Sequence, residues 1–214
     1  MQTQVEIPQP QARLLGAALV GPTVASAQAD STAVNKLVSE LQSSDDAVRG
    51  VAWQGAAALG SLAVKPLAAL MVHHDFEMAR SAKRALWRIV RHAARPKAGR
   101  ERKAVQAELV ALFASAPVPV RREALWMLSE IGDSSVVGII AKLLLEQKVP
   151  EEARCALERM PGPQATRALE QALRTAPEDF RFALANSLRV RGLAVKGYPT
   201  QKLLPTRQTS VKPK

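Results

Sequence analysis

Cysteine is nearly missing from this chain: Cys155 stands alone among 214 residues. A lone cysteine excludes an internal disulfide framework, and its setting in EEARCALERM reads as a small buried hydrophobe, not a reactive thiol. Aromatic residues are scarce too, at 4% of a chain that is 47% apolar. Alanine and leucine carry the apolar share, which favours packed helices over sheets. No apolar run approaches the roughly 20 residues that a membrane-spanning helix requires, so no span is expected.

The signatures of catalysis are lacking as well. There is no G-x-S-x-G, no Walker loop and no G-x-G-x-x-G. His73-His74-Asp75 offers three neighbouring metal donors, but adjacent residues rarely converge on one ion, and no second cluster completes a set. Carboxylates pair up in Asp45-Asp46, Glu151-Glu152 and Glu178-Asp179, each at the start of an expected helix, where acid suits the positive end of the helix dipole. The expectation is a protein without enzymatic activity and without a cofactor or metal.

Acid is absent from two stretches, and there the basicity gathers. Met78 to Lys103 holds ten Lys or Arg against Glu101 alone, and Arg189 to Lys214 holds seven with no acid. Together these segments carry more than the whole formal charge of +11, which leaves the rest of the chain net negative. Within the first, Arg80, Arg84, Arg88, Arg91 and Arg95 follow steps of 4, 4, 3 and 4, a single helical face. Ala82, Ala85, Leu86, Ile89 and Ala93 line the opposite face. One face can pack while the other holds an anion. Trp87 sits within this stripe, and Trp53 and Trp126 fall in comparable helices. Each reads either as packing between repeats or as a stacking platform beside the arginines.

Residues 1–30 stand apart. A polar stretch with two prolines is followed by LLGAALVGPTVA and then ASAQAD, with small residues at Ala25, Ala27 and Ala29. That is the order of a secretory signal, although Glu6 and Gly21-Pro22 depart from it, and a disordered leader is the other reading. The first predicts export, to the periplasm in a bacterium, and the second a cytoplasmic protein. From Ser31 onward the pattern is helical: Val34, Leu37, Val38 and Leu41 recur at i, i+3, i+4 and i+7. A second helix from Ala47 to Leu59 is expected to stop at Gly60. Four further pairs of amphipathic segments follow, through to Gly192. The segment RPKAGRERK between the second and third pairs reads as a mobile, solvated link. Residues 193–214 read as an extended or disordered basic tail.

The second members of the last four pairs repeat a phrase: Arg122-Glu-Ala124-Leu125, Arg154-Cys-Ala156-Leu157 and Arg181-Phe-Ala183-Leu184, with Lys83-Arg-Ala85-Leu86 a looser copy. Their alanines lie 39, 32 and 27 residues apart, near the period of helical repeats. With DDAVRGVAWQGAAALGSLAVKPLAALM and PVPVRREALWMLSEIGDSSVV, these phrases resemble the HEAT-repeat family, in the short form of the phycobilisome lyases. The resemblance spans residues 31–192. It implies an all-α fold, a right-handed α-α superhelix of about five helical hairpins, working as a binding scaffold. Second helices in such stacks face the concave surface, so Arg80, Arg84, Arg88, Arg91, Arg95 and Trp87 are the expected partner-binding residues. Three partner classes follow: first an acidic protein or peptide segment, then nucleic acid gripped as in HEAT-like DNA glycosylases, and last a tetrapyrrole, as in the lyases. Some members are iron-dependent hydroxylases built on His-Glu pairs. Here His74, Asp75 and Ala93 follow the three histidines, so that motif is lacking.

Overall fold

Alternation of short turns and amphipathic stretches produces helices throughout the computed structural model, which describes residues 24–199. Ten α-helices run in order: α1 Val24–Leu41, α2 Asp46–Gly55, α3 Val64–Leu70, α4 Phe76–Ala93, α5 Gly99–Ala111, α6 Val118–Ile131, α7 Ser134–Leu143, α8 Pro150–Arg159, α9 Pro163–Thr175 and α10 Glu178–Val190. No strand occurs among the described residues. The protein is all-α.

Consecutive helices pack as hairpins, α1 on α2 through α9 on α10, and each helix also touches the one two places along. The odd helices therefore form one layer and the even helices the other, with five hairpins stacked side by side. A single apolar core runs through the stack, from Leu37 and Leu41 through Leu67, Leu86, Ile89, Leu125 and Leu157 to Leu188. Three alanines of the repeated phrase, Ala85, Ala124 and Ala156, are buried with no more than a methyl group each, which lets helices approach closely, while Ala183 is half-buried.

Turn chemistry sets the helix ends. Asp45, Asp75 and Asp133 cap α2, α4 and α7 by accepting backbone N–H bonds from the first turn. Pro150 and Pro163 stand at the first position of α8 and α9, where a missing N–H costs nothing. After α2 the chain tightens into a 3-10 segment, Ala56–Ala63, and reverses at Gly60, whose φ of 51° suits a residue without Cβ. Gly132 ends α6 for a different reason. Its φ is an ordinary −65°, but a Cβ there would lie 2.0 Å from Met160 Cε and 2.5 Å from the Leu128 carbonyl oxygen.

Four boundaries differ from those expected. The second helix ends at Gly55, not Leu59, because the chain tightens there into the 3-10 segment. The backbone is already helical at Val24, inside the stretch set apart as a leader, while residues 1–23 lie outside the described part. The link Arg95 to Lys103 is not a mobile loop, because α5 begins at Gly99 and Ala98 is buried. Arg102 folds back from α5 and donates to the carbonyls of Ala93, Ala94 and Arg95 at 3.1–3.3 Å, satisfying the orphan acceptors that end α4. The expected tail also begins as folded structure. Arg189 donates to the carbonyls of Val195, Gly197 and Tyr198, and the Tyr198 ring meets Phe182 edge-on at 5.5 Å. Residues 200–214 lie outside the described part.

Candidate functional site

The basic arc of α4 is positioned by the start of that helix. The Asp75 carboxylate accepts from the N–H of Glu77 at 2.9 Å and of Met78 at 3.0 Å. Those bonds, the Met78 bond foremost, hold its carboxyl below the ordinary carboxylate range. From this anchored end, Ser81, Ala82, Ala85, Leu86, Ile89, Val90 and Ala93 turn inward and are buried. Arg80, Arg84, Arg88 and Arg91 are left on the outer arc, all exposed.

They border a groove of about 940 Å³ beside α2. Its floor is apolar: Trp53 from α2, Met71 from the turn after α3, then Phe76, Ala79 and Trp87 from α4. Trp53 and Trp87 pack against the core and also line the groove, so the packing and platform readings describe two sides of the same rings. The Arg84 guanidinium lies over Trp53, 5.7 Å from the ring centroid, and that of Arg91 lies over Trp87 at 5.3 Å. Trp87 is fixed from its other edge, where Nε1 donates to Glu123 of α6. Trp126 occupies the same place in the phrase but lies outside the groove, 38% exposed on α6.

The basic side chains are not equivalent. Arg80 pairs with Glu77 at 2.9 Å and Lys83 with Glu123 at 2.7 Å. Among the described residues, Arg84, Arg88 and Arg91 enter no ion pair. Three uncompensated guanidiniums at an apolar groove attract anions more strongly than the same charges spread over a polar surface.

Arg95 does not belong with them. It lies past the C-terminal end of α4, pairs with Glu101 at 2.7 Å and donates to the His92 carbonyl at 2.7 Å. The hydrogen bond from Arg95 holds the Glu101 carboxyl below its ordinary value. The helix has ended at Ala93, so the even step from Arg91 to Arg95 no longer describes one face. Sequence singles out Trp53 and Trp87 but not Met71 and Phe76, because the floor is assembled from three separate elements and spacing within one helix does not record it.

The remaining candidates resolve into structural roles. His73 Nδ1 accepts from the Asp75 N–H at 3.1 Å within the turn before α4. Among the described residues no three His, Cys, Asp or Glu side chains converge as metal ligands. Cys155 is half-buried, not buried, and burial pushes its thiol up from the ordinary value. Of the paired carboxylates, Asp45 caps α2, Glu152 pairs with Arg122 at 3.1 Å and Glu151 with Arg154 at 2.8 Å.

Fold and groove together define a class: an all-α stack of helical hairpins bearing a basic, tryptophan-floored groove. Comparison with known proteins does not narrow it further. No family model matches the chain, and no curated protein does. A solved structure described as an engineered protein of the Northeast Structural Genomics Consortium overlaps it with a TM-score of 0.38 and 23% identity, over 73% of this chain and 78% of that one. So loose an overlap carries no argument about either fold or function.

Proposed function

We propose that this chain is a non-enzymatic, HEAT-type repeat scaffold that binds an acidic protein segment at the groove beside α4. One observation carries the reading: Arg84, Arg88 and Arg91 are unpaired among the described residues at a groove floored by Trp53 and Trp87. The HEAT assignment is supported by the two-layer order of hairpins and by Arg49 and Arg121, the arginines of its Val-Arg phrases. Both are buried and tied to nearby acids, Arg49 to Asp46 and Arg121 to Glu146.

The test is affinity capture from the native source with wild type and with Arg80→Glu, Arg84→Glu, Arg88→Glu and Arg91→Glu combined, after circular dichroism confirms equal helicity. Acidic partners should be retained by wild type and lost by the variant. Identical partner lists would remove the groove from any role in binding. Retention of nucleic acid, with affinity falling steeply as salt rises, would favour a phosphate-binding function instead. Export belongs to the same proposal only if the native protein begins near Ala27 or Ala29. Intact mass of the purified native chain decides that.

A further inference from the structure

The groove also specifies the shape of its ligand, an inference that rests on the acidic-partner reading. Along α4, Arg84, Arg88 and Arg91 rise by about 6.0 and 4.5 Å, given about 1.5 Å per residue. Carboxylates at i, i+4 and i+7 of a second helix rise by the same steps, so a helix lying along α4 meets all three guanidiniums at once. The whole basic arc from Arg80 to Arg91 is about 16 Å long, or about three helical turns.

On α6 the equivalent places, three before and four after Trp126, are held by Glu123 and Glu130, which pair with Lys83 and Arg159, so the row of free guanidiniums belongs to α4. The floor adds a second requirement. Phe76 is 72% exposed and lines the groove with Trp53 and Met71, and this apolar surface gains nothing from carboxylates or phosphates.

We infer that the groove takes one short, acidic, amphipathic helix of a partner protein. Its carboxylates, one turn apart, would meet Arg84, Arg88 and Arg91, and its apolar flank would rest on Trp53, Met71 and Phe76. This is helix-in-groove recognition, with charge setting the register and apolar anchors supplying the adhesion.

Fluorescence anisotropy on the full chain tests it with four labelled probes of about 16 units each, long enough to span the arc. They are a helical peptide with Glu at i, i+4 and i+7 beside a leucine flank, a shuffled peptide of the same composition, oligoglutamate, and single-stranded DNA. The patterned peptide should bind at least about tenfold tighter than the shuffled one. Arg84→Glu with Arg88→Glu should abolish that binding, and Phe76→Ala should weaken the patterned peptide while leaving oligoglutamate unchanged. Equal binding of patterned and shuffled peptides, or of patterned peptide and oligoglutamate, would overturn the helical inference while the acidic-partner reading stands. Failure of every acidic peptide, or tightest binding to DNA, would overturn both.

Discussion

Arginine does two kinds of work in this protein, and neighbours decide which. Arg191 donates to the carbonyls of Leu157, Glu158, Met160 and Gly162 and to Thr166 Oγ1, so one side chain closes the end of α8 and the start of α9. Arg189 ties down the segment after α10 in the same manner. Both fall in the acid-free basic stretch Arg189 to Lys214, where formal charge does not distinguish a solvated guanidinium from one spent on carbonyls. Arg121 is a third case, buried and gripped by both carboxylate oxygens of Glu146. The hydrogen bond from Arg121 holds the Glu146 carboxyl below its ordinary value. A carboxyl lowered on folding contributes stability above its unfolded pKa and loses it as pH falls through the folded one. Thermal melts of wild type and Glu146→Gln should therefore differ most at neutral pH and converge in acid below the usual carboxylate range. A gap that does not narrow in acid would mean the pair acts by packing alone.

At the scale of elements, the stack is held by contacts that pass from each even helix to the next. Lys83 reaches Glu123, Arg122 reaches Glu152, and Arg154 donates to Ser187 Oγ at 2.6 Å, joining α4, α6, α8 and α10 in turn. The first three basic residues of the repeated phrase are thus the rungs of a ladder between repeats. Their periodicity was plain in the sequence, but their partners were not, because each lies in the following repeat. Gly132 makes the same point about glycines. It follows the last residue of α6, at a site with no room for a side chain, against the Leu128 carbonyl and the Met160 methyl. Gly132→Ala should cost about 1–3 kcal/mol by overpacking, read as a lower denaturant midpoint at unchanged slope. Gly138→Ala, with open space around its Cβ position, is the control and should not destabilise the protein.

For the whole molecule, side-by-side stacking means that no hairpin buries its own apolar face. Deleting residues 163–214 removes α9 and α10 together with Arg191, and uncovers the surfaces of α7 and α8 on which they pack. The shortened chain should melt well below wild type and bind a hydrophobic dye at temperatures where wild type does not. Loss of α9 and α10 with an unchanged melt would show that the hairpins are independent units.

Sequence alone determined that this protein is helical, that its helices come in pairs, and that basic charge gathers on the outer arc of α4. Those properties follow from periodicity, and periodicity is local. Only the tertiary structure decided that Arg95 leaves the stripe, that Arg189 and Arg191 are consumed in the fold, and that Trp53, Met71 and Phe76 complete a groove. Each of those depends on which carbonyl, carboxylate or ring arrives from another hairpin, and packing brings such groups together across distances that no local spacing records.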